Sequence, residues 1–103
     1  MSEELRARLQ HLLHQIENHE TRWERAEAHP AYGRFARQNP ALRQSIVRAH
    51  KVFAQFRKAV ETDHPKLSEY LDELEESVHY LFRDMDRLYR ALGLAVPTVR
   101  VLN

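Results

Sequence analysis

Apolar residues recur at alternating steps of three and four along three long stretches of this chain. Such steps return to the same side of an α-helix, because a helix has about 3.6 residues per turn. We call such a line of apolar residues a seam. A seam that continues over three or more seven-residue repeats is typical of helices that pack side by side. The seam residues are Leu5, Leu9, Leu12, Ile16, His19, Trp23 and Ala26; then Leu42, Ile46, Ala49, Phe53, Phe56 and Val60; then Leu67, Leu71, Leu74, Val78, Leu81, Met85, Leu88 and Leu92.

Prolines and a glycine mark where these helices begin and end. Pro40 follows Asn39, a pair typical of a helix start, since proline at the first helical position loses no hydrogen bond. Two His-Pro pairs, at 29–30 and 64–65, indicate further starts, and Gly93 indicates a helix end. The long helices are therefore predicted over about 3–27, 40–61 and 66–92.

The predicted fold is all-α, an antiparallel bundle of three long helices with a short bridging helix near 30–38. The bundle domain is expected to occupy 1–92 and an extended apolar tail 93–103. Gly93 and Pro97 prevent the last helix from continuing through the tail. Two roles remain open for the tail, which either covers the end of its own bundle or docks on a partner as an extended segment. Its apolar residues include Leu94, Val96, Val99 and Val101.

The charges change sign abruptly between the second and third long helices. Residues 28–60 contain seven Lys or Arg and no Asp or Glu, whereas 61–76 contain seven acids and one Lys. In an antiparallel hairpin turning near 63–65, the two groups come to the same height, and opposite charges favour that docking. The predicted pairing sets Lys51, Arg57 and Lys58 against Glu69, Asp72, Glu73, Glu75 and Glu76.

The composition narrows the functional classes. A chain of 103 residues is the size of one small domain, and its net charge is +1. The chain has no cysteine, which excludes disulfides and thiolate metal sites and fits a cytoplasmic protein. No leader peptide is expected from the first residues, and no apolar run approaches the ~20 residues that cross a membrane. No partnership with a membrane is therefore expected.

The pattern favours a small non-enzymatic interaction protein, an adaptor, regulator or complex subunit that self-associates as a homodimer. Tyr70, Phe82 and Tyr89 flank the seam of the third long helix, and aromatic residues in such places are common interface anchors. Either these rings meet a partner or the first helix covers them. With the apolar residues of the tail they form the predicted interface. No catalytic residue and no cofactor are indicated, and whether the chain is an enzyme stays open.

An alternative is a protein that binds nucleic acid or another polyanion through arginine. The cations would contact phosphates and the rings would stack on bases. The residues predicted for this role are Arg34, Arg37, Arg43, Arg48, Arg83, Arg87 and Arg90, with Tyr32 and Phe35.

A third alternative is a metal binder. Glu76 and His79 form a Glu-x-x-His step that resembles the ligand spacing of ferritin-like di-iron proteins. His79 with Asp84 resembles one fragment of the hemerythrin ligand set. The carboxylates that such families place on other helices are missing from the second long helix before Glu61, so no metal is assigned.

Two further histidines stand out. His19 occupies a seam position, where a lone polar residue often fixes the register of a bundle, and a modest pKa shift would make it a pH switch. His50, within Ala49-His50-Lys51, resembles the phosphorylated histidine of phosphotransfer bundles over three residues. Phe53 and Ala54 stand where that family has lysine and glycine.

Overall fold

The computed structural model describes residues 2–95, which form four α-helices and, over that range, no strand. The helices are α1 (Glu3–Glu27), α2 (Tyr32–Gln38), α3 (Pro40–Glu61) and α4 (Leu67–Leu92). The all-α prediction is confirmed, as are the three long helices and the short one. Val96, Val99 and Val101 of the predicted tail lie outside the described residues.

The long helices run up, down and up. Arg8 contacts Asp72 and Arg22 contacts Asp86, with the same offset of 64 residues, so α1 and α4 are parallel. α3 is antiparallel to both, and α2 contacts all three long helices at one end of the bundle. The bridging role predicted for the short helix is therefore confirmed.

Side chains and a glycine set the helix boundaries. The Ser2 hydroxyl accepts a hydrogen bond from the Leu5 N–H and caps α1. In both His-Pro pairs the histidine Nδ1 accepts the N–H two residues later, at 3.1 Å for His29 and 3.0 Å for His64. These turns direct the chain into α2 and α4. Gly93 adopts φ 75°, the left-handed conformation that ends helices, and so terminates α4.

The core consists of two apolar clusters, one toward each end of the bundle. The first joins the N-terminal half of α1 to the C-terminal half of α3 and the N-terminal half of α4. The second lies at the α2 end, where the half-buried Leu94 packs against it. The first cluster contains Leu9, Leu12, Ile16, Ala49, Phe53, Phe56, Ala59, Leu67, Leu71 and Leu74, and the second contains Ala26, Ile46, Met85, Leu88, Tyr89 and Leu92.

The observed ion pairs differ from the predicted ones. Arg8 of α1 binds Asp72 and Glu75, and Arg57 of α3 turns toward Glu20 of α1. Within residues 2–95, no pair within 4 Å joins the cations of α3 to the acids of α4. The predicted ion pairs between α3 and α4 are therefore wrong. α1 lies close enough to both helices for its own charged side chains to bind theirs.

None of the helices in residues 2–95 combines the length and the apolar character needed to span a bilayer.

Candidate interaction groove and buried polar layer

An open groove of about 660 Å³ runs between α3 and α4. A smaller depression of about 280 Å³ continues it toward the N-terminus of α3. All of the lining residues belong to α3, α4 or the turn between them, so α1 leaves this side of the helix pair open. The residues lining the two parts are Ser45, Arg48, Ala49, Val52, Gln55, Phe56, Lys58, Ala59, Thr62, His64, Tyr70, Glu73, Leu74, Ser77 and Leu81.

The centre of the groove is apolar. Phe56, Ala59 and Leu74 form its floor and are themselves almost fully buried, while Val52 projects from α3 with 45% of its surface exposed. Val52 and Tyr80 are the large apolar or aromatic side chains most exposed within residues 2–95. The small side chains at 49, 59 and 77 leave room for another side chain to enter.

The two rims of the groove carry opposite charges. Arg48 and Lys58 line the α3 side and Glu73 lines the α4 side. Lys51, one turn from Arg48 and two turns from Lys58, is exposed on α3. Glu69 and Glu76 are likewise exposed on α4. Because these charges form none of the ion pairs described above, they remain available to a molecule that enters the groove.

A pair of histidines, the buried His19 and the half-buried His50, links the helices on the other side of α3. His19 is 1% exposed, its Nε2 lies 3.2 Å from the Leu81 carbonyl, and its Nδ1 lies 3.2 Å from His50 Nε2. A carbonyl can only accept, so neutral His19 carries its proton on Nε2 and accepts at Nδ1. His50 must then donate from Nε2. The pair joins all three long helices through one chain of hydrogen bonds.

Aromatic rings surround these histidines. Phe53 and Phe82 meet the His19 ring edge-on at 5.3 and 5.5 Å between centroids, and Trp23 lies 5.4 Å from His50. Burial lowers the pKa of His19 to about 4, since the charged imidazolium would lose its hydration. Burial also lowers the pKa of His50, with the Glu20 carboxylate opposing that shift.

A second buried polar contact lies one turn further along α1. Arg22 donates to Asp86 at 2.7 Å, and their side chains are only 7% and 9% exposed. The Arg22 guanidinium also stacks over the Tyr89 ring at 4.5 Å, and the Tyr89 hydroxyl donates to the Arg22 carbonyl. Neither charged residue falls on an apolar seam, so the heptad pattern did not single them out.

The predicted interface residues occupy different environments. Tyr89 is 3% exposed and belongs to the core of its own chain. Phe82 is half-buried against His19, and Tyr70 is half-buried against His64 while lining the groove. α1 thus covers two of the three rings, the second of the two arrangements that the sequence left open.

The residues predicted to bind a polyanion separate into two groups. All of the arginines are exposed, namely Arg34, Arg37, Arg43, Arg48, Arg83, Arg87 and Arg90. The rings of Tyr32 and Phe35 are half-buried and pack against the second apolar cluster, where Tyr32 meets Trp23 edge-on at 5.6 Å. Among the Phe, Tyr and Trp rings of residues 2–95, Tyr80 is the exposed one, and the sequence did not single it out.

Glu76 and His79, the candidate metal ligands, are both exposed on α4. The His79 ring lies against the Tyr80 ring, 4.0 Å between centroids. No group of three or more potential ligands among His, Cys, Asp and Glu comes together within the described part of the chain.

No protein-family model, curated protein or solved structure matches this chain.

Proposed function

We propose that this chain is a small, non-enzymatic interaction protein that self-associates through the groove between α3 and α4. The observation that carries the proposal is Val52, an exposed valine above an apolar floor with charged rims of opposite sign. From Ser45 to Thr62 the α3 side of the groove is about 25 Å long at 1.5 Å per residue, which suits a helix or a helix pair as its occupant.

A second copy of the chain supplies such a helix pair. If the two-fold axis runs parallel to the helices, α3 of one copy lies over α4 of the other, and neighbouring helices are antiparallel. The four helices then form a bundle around the groove residues. In this arrangement the basic rim of each copy meets the acidic rim of the other at the same height.

The other two-fold arrangement is less favourable. An axis perpendicular to the helices would set α3 over α3, bringing Arg48 of one copy near Lys58 of the other. It would also set the acids of α4 against each other. Like charges in contact are destabilising, so the charge pattern selects the arrangement with α3 over α4.

The proposal is tested by measuring mass in solution over a range of concentrations. The wild-type chain is expected to reach twice its monomer mass of 12.3 kDa. Val52→Glu places an unpaired charge in the centre of the apolar interface and is expected to yield monomer. The matched control is Ala54→Glu, which adds the same charge to an exposed position of α3 outside the groove lining. A wild-type chain that stays monomeric at every concentration, or equal effects of the two variants, would overturn the proposal.

A further inference from the structure

The C-terminal half of α4 presents a stripe of exposed side chains. Tyr80, Arg83, Arg87 and Arg90 follow one another at steps of three, four and three, which place them on one side of the helix. All four are exposed, and the stripe is about 15 Å long at the helical rise of 1.5 Å per residue. This surface is separate from the groove, since none of the four residues lines it.

The acids closest to this stripe in sequence are engaged inside the bundle. Asp84 accepts a hydrogen bond from the Ser45 hydroxyl at 2.8 Å, and Asp86 is held by Arg22. Arg87 approaches Asp84 only to 3.9 Å. Within residues 2–95, neither Arg83 nor Arg90 forms an ion pair within 4 Å. The bundle therefore uses the negative charges of this segment internally and leaves its positive charges outside.

Tyr80 adds a ring to this positive surface. Its side chain is 56% exposed, and the Arg83 guanidinium lies 5.9 Å from the ring centroid. Within residues 2–95 Tyr80 belongs to neither apolar cluster, and its ring contacts are with the neighbouring His79 ring and the Arg83 guanidinium. An exposed ring next to guanidinium groups offers a nucleic acid both a stacking surface and contacts to phosphate.

We propose that the Tyr80/Arg83/Arg87/Arg90 stripe binds a single-stranded nucleic acid, with the base stacked on Tyr80 and the phosphates along the arginines. A single strand is favoured over a duplex because the ring must reach the face of an unstacked base. Arg34 and Arg37 of α2 are also exposed at this end of the bundle. The acids Glu69, Glu73 and Glu76 on the N-terminal half of α4 limit the site to the C-terminal half.

The test is fluorescence anisotropy with a labelled oligouridine. With three phosphate contacts, the affinity is expected to fall about 20-fold between about 50 mM and about 200 mM salt for a strand of about 20 nucleotides. Arg83→Gln/Arg90→Gln is expected to weaken binding and to flatten this salt dependence. The matched control is Arg6→Gln/Lys66→Gln, which removes two exposed positive charges elsewhere and is expected to bind like the wild type.

Two variants of Tyr80 separate base recognition from charge. Tyr80→Phe keeps the ring and is expected to bind normally, whereas Tyr80→Leu is expected to lose about fivefold or more in affinity. Inorganic polyphosphate at equal phosphate concentration is expected to compete less well than unlabelled oligouridine. No binding at the lower salt, or equal losses in the two double variants, would contradict the site. The assignment to nucleic acid would be contradicted by two results together. Polyphosphate would compete as well as oligouridine, and the Tyr80→Leu variant would bind oligouridine as tightly as the wild type.

Discussion

His19 Nδ1 lies 3.2 Å from His50 Nε2, so a hydrogen bond between two neutral imidazoles joins α1 to α3 inside the bundle. The Leu81 carbonyl accepts the other N–H of His19 and thereby fixes which nitrogen carries the proton. A proton added to His19 would have to go on Nδ1, and His50 would then have to change tautomer so that its Nε2 accepts. Burial of the ring, which lowers the pKa of His19, makes it a residue that the fold keeps neutral.

The first prediction concerns pH. His19 has a native pKa of about 4 against an ordinary value of 6.5, so the unfolded chain binds a proton that the native chain excludes. The stabilising effect of neutral His19 is therefore complete above about pH 6.5 and is lost as the pH falls from there toward 4. Between about pH 7 and about pH 4.5 this amounts to about 2–3 kcal/mol.

Urea unfolding at the two pH values measures the effect. His19→Leu is expected to show a smaller loss of unfolding free energy on acidification than the wild type. His11→Leu, at an exposed position of the same helix, is the control and is expected to keep the wild-type pH dependence. If His19→Leu loses as much stability in acid as the wild type, the fold does not depend on a neutral His19.

The second prediction concerns the buried pair of Arg22 and Asp86. Removing one partner takes a charge-assisted hydrogen bond of 2.7 Å away from a buried charged group, so Arg22→Met and Asp86→Asn are each expected to cost about 3–5 kcal/mol of unfolding free energy. The double variant Arg22→Met/Asp86→Asn is expected to cost much less than the sum of the two. Chemical denaturation of the three variants provides the measurement. Additive losses would show that the two charges do not depend on each other.

The third prediction concerns Tyr89, which the structure places in the core. Tyr89→Phe keeps the ring over Arg22 but deletes the hydroxyl that donates to the Arg22 carbonyl, at an expected cost of about 1 kcal/mol. Tyr89→Ala also removes the ring and is expected to cost about 3–5 kcal/mol. Thermal unfolding measures both. A Tyr89→Ala chain of unchanged stability but altered mass would instead assign this ring to an interface between copies.

The fourth prediction concerns the charged rims of the groove. In the dimer with α3 over α4, Lys58 meets the acidic rim of the second copy, so Lys58→Glu is expected to weaken dimerisation by about 0.5–1 kcal/mol, up to about fivefold. Combining it with Glu69→Lys exchanges the two charges and is expected to restore much of the affinity. The dimer dissociation constant, measured by sedimentation at low salt, is the readout. Tighter dimerisation of Lys58→Glu alone would indicate the arrangement with α3 over α3.

The spacing of apolar residues along the sequence was sufficient to predict the fold, because it depends on which side of each helix is buried. The helix boundaries followed from Pro40, Gly93 and the two His-Pro pairs, whose effects on the backbone are local. Polar contacts between helices were harder to predict. Arg22 and Asp86 resemble ordinary surface charges in the sequence, and their burial depends on the register between α1 and α4.

The candidate groove was missed for a related reason. Val52 lies outside the apolar seam predicted for α3, and only the position of α1 determines which residues beside that seam stay uncovered. The charge switch between 28–60 and 61–76 correctly indicated an antiparallel hairpin. Within residues 2–95 these two groups of charges did not pair with each other, because Arg8 of α1 binds Asp72 and Glu75, and Glu20 of α1 binds Arg57.

The most direct test of the dimer uses the absence of cysteine from the natural sequence. Val52 and Ser77 line the groove from opposite sides at the same height, so in a dimer with α3 over α4 each faces the other residue of the second copy. Equal amounts of Val52→Cys and Ser77→Cys chains are mixed and treated with a short bismaleimide. The account predicts a cross-linked dimer in the mixture and little from either chain alone. A mixture that gives no more cross-linked dimer than the separate chains would contradict it.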